Sequence, residues 1–265
     1  MTPPEPYYIA LGDGRFESTV QAQGAWNPHE QHMAPVSGIL THCLEGFSPR
    51  PDLRMARLSF EILGLIPDGE FEVVTSMLRP GRTIELVQAE LIAGGRVAVR
   101  ASAWRMQRSD TSAVAAVEDP PMPARDRIAA PASLTTWPGG YIRSIDVFPT
   151  VDHRAGSGSA WLRTRHPLVS GARDSDTPYS EFAALIGLVD TSNGIAVRVP
   201  PGGDGYAFPN LDLQLHLYRQ PAGRWLGLQN SVTFGSDGIG LTSSVLHDEV
   251  GPFGRAEQIL TLRKL

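Results

Sequence analysis

Three polar residues stand where the surrounding pattern is apolar. Asp190 closes the run PYSEFAALIGLVD, in which Phe182, Leu185, Ile186 and Val189 share one face at helical spacing. A carboxylate at a helix C-terminus opposes the helix macrodipole. Held in a buried polar pocket, such a misfit has the form of a general base. A local hydrogen bond to the turn of Ser192 and Asn193 would also account for it. Gln258 shares a face with Ala256 and Leu260 in a strand-like stretch, and a neutral hydrogen-bonding group there needs a partner. A water held jointly with Asp190 would serve. Asn210, between Pro209 and the alternating Leu211, Leu213, Leu215 and Leu217, is either a turn residue or an amide that both donates to and accepts from a water. Together these types suit activation of a water molecule.

Other constellations carry less. His29 and His32 in HEQH lack a third ligand and the longer H-E-x-x-H spacing of a zinc hydrolase, so the segment reads as a solvated stretch before a helix and no metal is expected. Ser157 and Ser159 lie in a glycine-rich turn without the setting of a nucleophile elbow. Gly12-Asp13-Gly14 is a hairpin signal, too short for a phosphate loop. The single cysteine, Cys43, sits in an apolar helical stretch and reads as a small core residue. It leaves no internal disulfide, which fits a reducing cytoplasm. A formal net charge of −5 gives no basic field for nucleic acid, and no run is long and apolar enough to span a membrane. Lys264 is the only lysine among the basic residues, as codon bias of a GC-rich genome would produce.

The elements that must position these residues follow one layout written twice. Strands over 7–11 and 15–23 precede a helix over 33–47, in which Val36, Ile39, Leu40, Cys43, Leu44 and Phe47 keep helical spacing and Pro35 suits the first turn. Four strands follow over 55–65, 70–79, 83–93 and 96–107, broken at Pro67-Asp68-Gly69, Pro80-Gly81 and Gly94-Gly95. From 109 to 140 the chain is rich in Ala, Pro and Ser and reads as a linker along the surface. The layout then returns roughly 155 residues on. It has strands over 141–150 and 159–165, a helix over 178–190 capped by Asp176 or Thr177, and strands over 210–218, 225–234, 238–246 and 255–263. The expected organisation is a repeat over 1–108, a linker over 109–140 and a second repeat over 141–265 that carries the site.

A strand pair, a long central helix and a four-strand meander is the layout of the hotdog fold. The run ILGLIPDGEFEVV, MLRPGRTIELVQAEL and GGRVAVRASAW in the first copy resembles the N-terminal half of acyl-CoA thioesterase II-like double-hotdog proteins. DTSNG, FPNLDLQLHLYR, DGIGLTSSVLHDE and GRAEQ carry the resemblance through the second. It implies an α+β tandem hotdog with two antiparallel sheets, each wrapped around a central helix, and hydrolysis of an acyl-CoA or acyl-carrier thioester without metal or organic cofactor. In that family a carboxylate late in the second helix, a Thr or Asn entering the next strand and a Gln in the last strand hold the hydrolytic water. By position these are Asp190, Asn210 and Gln258. Backbone N–H groups at the start of the first helix, often beside a Gly-Gly pair, supply the family's oxyanion donors.

Here that place reads Met33-Ala34-Pro35, and Pro35 has no N–H. The expected donors therefore shift to Val36 and Ser37, with Met33, Ala34, Asn193 and Gly194 as substrate contacts. This departure also admits a non-catalytic protein that only holds an acyl-CoA or acyl-carrier ligand. A hotdog hydratase would need a His shortly after its Asp, and Thr191-Ser192-Asn193-Gly194-Ile195 offers none. Arg79, Arg82, Arg163, Arg165 and Arg173 flank strand ends and are candidates for meeting substrate phosphates. A homodimer is expected from the tendency of hotdog halves to associate. The first copy has Glu45-Gly46 at its helix end and small Ala101 or Ser102 in place of Gln258, so one active site per chain is expected.

Overall fold

The computed structural model describes residues 4–125, 128, 137–171, 179–200 and 205–265. The first half runs β1 (Tyr8–Gly12), β2 (Arg15–Ser18), α1 (Met33–Gly46), β3 (Leu53–Ile62), β4 (Glu70–Arg79), β5 (Ile84–Ala93) and β6 (Arg96–Gln107). After a connecting stretch come α2 (Gly140–Ser144), β7 (Ile145–Pro149), β8 (Ser157–Thr164), β9 (Val169–Gly171), α3 (Glu181–Val189) and α4 (Ser192–Ile195). The chain closes with β10 (Tyr206–Ala207), β11 (Asp212–Leu217), β12 (Leu226–Phe234), β13 (Ile239–Asp248), β14 (Gly251–Thr261) and β15 (Arg263–Lys264).

The turn chemistry sets the first hairpin: Gly12, Asp13 and Gly14 all take positive φ, and Gly12 pairs with Arg15. In α1 the apolar stripe of Val36, Ile39, Leu40 and Leu44 is fully buried against the sheet and α3. In α3 Phe182, Leu185, Ile186 and Val189 are buried in the same core. The expected cap residues Asp176 and Thr177 lie outside the described residues; the Ser180 hydroxyl accepts from the Ala183 N–H at 3.0 Å and is the N-cap. The two helices pack closely because glycines face each other: a Cβ on Gly38 would meet Gly187 Cα at 3.0 Å.

Two separate sheets, one for each half, were the expectation; the long strands of both halves instead join in one, and β10 and β15 pair in a two-stranded sheet of their own. Thirteen strands run in the order β7-β8-β12-β13-β14-β11-β3-β6-β5-β4-β2-β1-β9. The join is β11 with β3, antiparallel, from Asp212 opposite Glu61 to His216 opposite Arg57. Each is the first meander strand of its half, and pairing them satisfies the backbone groups that both edges would otherwise expose. The sheet is mixed rather than wholly antiparallel, since β9 adds to β1 in parallel.

A second difference lies at 141–150, where a strand was expected from its first residue. Tyr141 to Ser144 form the helical turn α2 instead, and the strand begins at Ile145. The cause is a close backbone approach: a Cβ on Gly140 would fall 1.6 Å from the Val20 carbonyl oxygen, and Gly139 has φ +109°. The chain can turn there only because both residues are glycine. The connecting stretch is not wholly superficial either, because Met122 and Trp137 are buried and the Trp161 indole N–H donates to the Pro123 carbonyl at 2.9 Å.

Candidate active site

Asp190 lies at the C-cap of α3, with φ −62° and ψ −14°, where the chain breaks before re-entering helix as α4. The strands β11 and β14 bring Asn210 and Gln258 to it. Asn210, just before β11, forms a lone bridge with Leu260 and donates its Nδ2 to Asp190 Oδ1 at 2.7 Å and to the Asp212 carbonyl at 3.0 Å. Gln258 sits on the buried face of β14 and donates its Nε2 to the same Oδ1 at 2.8 Å. The three residues singled out from the sequence are therefore in direct contact. Each amide thus gives a donor to the same carboxylate oxygen. Asp190 Oδ2 is left facing His32 Nδ1 at 3.5 Å.

Asp190 is only 4% exposed, and burial raises its carboxyl to about 6 against the lowering effect of the two amide donors. His32, read from the sequence as part of a solvated stretch, is the N-cap of α1 with its side chain 17% exposed. Its Nδ1 accepts the Ala34 N–H at 3.0 Å, so the ring proton resides on Nε2. Burial pushes the imidazole down to about 3, so the ring is neutral and the contact with Asp190 is not an ion pair. The ring lies 4.3 Å from that of Tyr141, whose hydroxyl bonds the Thr191 hydroxyl at 2.6 Å. His29, by contrast, is at the surface near Asp68. Cys43 is packed against the core, its thiol pushed up to about 12 by burial.

Asp190, Asn210, His32 and Thr191 border a cavity of about 390 Å³ between the halves; Gln258 stands behind Asp190 and does not line it. Of the expected substrate contacts, Met33, Asn193 and Gly194 line the cavity. Asn193 also donates its Nδ2 to the Phe208 carbonyl at 3.0 Å. Ala34, Val36 and Ser37 are not among the lining residues. The Ala34 N–H is spent on His32, the Val36 N–H turns back to the His32 carbonyl at 3.5 Å, and the Ser37 hydroxyl bonds the Ala34 and Ile186 carbonyls inside the helix pair. With no N–H on Pro35, the first-turn donor on the cavity that makes no hydrogen bond among the described residues is that of Met33.

The apolar wall includes Trp26 and Trp137, whose rings meet edge to face at 5.0 Å. None of Arg79, Arg82, Arg163 and Arg165 borders this cavity; Arg163 pairs with Asp146 at 2.8 Å, and Arg173 lies outside the described residues. Arg263, at the start of β15, does border it. Its place at the chain's last strand gave no motif by which to find it. No helix among the described residues is long and apolar enough to cross a membrane.

The halves and the helix pair define a known class. A hot dog-fold protein of Alicyclobacillus acidocaldarius superposes with a TM-score of 0.73 at 13% identity, covering 97% of this chain and 96% of its own. A thioesterase II-like protein from Thermobifida fusca YX gives 0.72 at 17% identity over 100% of both chains. An acyl-CoA thioesterase II from Mycobacterium marinum gives 0.65 at 16% over 97% and 96%. These likenesses fix the hotdog fold. The family models for the acyl-CoA thioesterase N-terminal and C-terminal domains match residues 22–106 and 115–262. The chain belongs to the acyl-CoA thioesterase family, an enzyme family of thioester hydrolases. No curated protein matches the chain.

Proposed function

We propose that the chain hydrolyses an acyl-CoA or acyl-carrier thioester with Asp190 as the base that activates water. The observation that carries this reading is the division of labour on the carboxylate. Oδ1 takes a donor from each of Asn210 and Gln258, and Oδ2 is left beside His32, a residue of the cavity wall. A water donating to Oδ2 would lose its proton there as its oxygen attacks the thioester carbon. The Met33 N–H, at the positive end of α1, would receive the developing oxyanion. Collapse of the tetrahedral intermediate would expel the thiolate, which takes up the proton carried by Asp190. The acyl group would lie along the wall of Trp26 and Trp137, and Arg263 would face the phosphates outside. The reading extends to a cytoplasmic homodimer, for which light scattering should give twice the 28.7 kDa chain mass.

The test is thiol release from linear acyl-CoA thioesters, acetyl to palmitoyl, by the wild type and Asp190→Asn. Loss of the base should lower kcat by about 10²–10⁴. Equal turnover by the variant would overturn the assignment. One observation favours a second reading, a ligand-holding protein without turnover: with Ala34 capped and Pro35 lacking an N–H, a single helix-start donor serves the carbonyl. Losing one such donor typically costs about 10²–10³ in rate. Thermal stabilisation by acyl-CoA with no thiol release at any chain length would select that reading.

A further inference from the structure

Gln258 is 1% exposed, and only half of its amide is satisfied. Nε2 donates to Asp190, whereas Oε1 has no protein partner. Directly across the β13–β14 pairing stands Thr242, fully buried. The burial alternation along β13 puts Gly240, Thr242, Ser244 and Leu246 on the core face, and that along β14 puts Ala256, Gln258 and Leu260 there. The two side chains are therefore cross-strand neighbours on one face, with Cβ atoms in the range of about 4.5–5.5 Å that such pairs adopt. Thr242 Oγ1 also has no protein partner. A hydroxyl can donate and an amide oxygen only accepts, so the two unmet groups are complementary.

We propose that Thr242 is a positioning residue for the hydrolytic site: the structure leaves both groups without a partner, each other included, and a turn about the threonine Cα–Cβ bond would let its hydroxyl donate to Gln258 Oε1 and so hold Nε2 on Asp190. The inference rests on the hydrolytic reading of Asp190. The terminal torsion of glutamine is broad, and on an apolar strand face the amide could swing away from the carboxylate. Fixing Oε1 removes that freedom. Thr242 touches neither water nor thioester in this scheme; it acts through Gln258. Threonine suits this place because it has the branched shape of valine and also carries a hydroxyl that can turn to donate.

The experiment compares full-length wild type, Thr242→Val, Thr242→Ser and Asp190→Asn in acyl-CoA thiol release across pH 5 to 9. Loss of the hydroxyl should lower kcat about tenfold, the rate equivalent of one hydrogen bond, with KM nearly unchanged. It should also move the acid limb of the kcat profile upward, because the Asp190 charge loses a held donor. Thr242→Ser should restore both kcat and the limb. A purely packing role for Thr242 would change the melting temperature and leave the limb in place. If Thr242→Val does not fold, Thr242→Ala replaces it with the same expectation. A folded variant without the hydroxyl that keeps wild-type kcat and acid limb would overturn the inference. Full activity in Asp190→Asn would instead overturn the hydrolytic reading itself, whatever Thr242 does.

Discussion

Asp190 pays for its position with a raised pKa, and that fixes how the enzyme should respond to pH. Only the ionised carboxylate can take a proton, so kcat/KM should climb with pH through about 6, the value to which burial raises the group. A pH profile flat from 5 to 8 would contradict a general-base role. The same shift has a stability consequence of definite sign. A carboxyl whose folded pKa lies above its ordinary 3.8 binds its proton more tightly when folded, so its favourable contribution is complete at acid pH and fades as pH rises through about 6. Asp190→Asn keeps an oxygen for Asn210 and Gln258 and removes the buried charge. Its melting temperature should come level with the wild type only near pH 3, below the ordinary carboxyl value, and exceed it at pH 8, by an amount reflecting on the order of 2–3 kcal/mol at most. Asp190, Asn210 and Gln258 could be picked out from sequence because each breaks an apolar pattern. His32 could not, since it lies in a polar stretch where a capping imidazole and a solvated one look alike.

At the scale of elements, glycines and prolines mark most boundaries and apolar periodicity marks both long helices. Glu70–Arg79 and Arg96–Gln107 form as their residue patterns dictate, because both ends are set by local turns. The pairings β11–β3 and β1–β9 depend on partners about a hundred residues away or more, and no local pattern encodes them. Packing of α1 on α3 can be tested through two glycines of one helix. A Cβ at Gly38 would crowd Leu168 Cδ1 at 2.8 Å and Gly187 Cα at 3.0 Å, whereas one at Gly46 would meet nothing within 4 Å. Gly38→Ala should therefore destabilise by roughly 1–3 kcal/mol, since overpacking outweighs the gain in helix propensity. Gly46→Ala should be neutral or stabilise by up to about 1 kcal/mol. Urea unfolding of both variants checks the pair, and because the separation of α1 and α3 sets the distance from Met33 to Asp190, only Gly38→Ala should also lose kcat.

Across the whole molecule the duplication places two helix ends against two helix starts, and among the described residues only one meeting holds a carboxylate with two amide donors. Asp190 at the end of α3 faces the cap of α1, while Glu45 near the end of α1 accepts a hydrogen bond from Ser180, the cap of α3, at 2.5 Å. The second meeting borders its own cavity, of about 440 Å³, lined by Glu45 and Phe182 together with Arg50, Arg54, Arg105 and Arg108. Among the described residues no amide side chain hydrogen-bonds to Glu45; Arg105 is tied to the buried Glu85 at 2.6 Å. Ala101 and Ser102 on β6 offer no long side chain where β14 offers Gln258. A carboxylate that holds the capping serine of a neighbouring helix and has no pair of amide donors is a structural tie. Glu45→Gln should accordingly keep kcat within about twofold of wild type while Asp190→Asn loses it, because the glutamine oxygen still accepts from Ser180 at small cost. Calorimetric titration with a non-hydrolysable acyl-CoA thioether should give one equivalent per chain. Two equivalents with equal affinity, or loss of turnover in Glu45→Gln, would mean that both copies kept a working site.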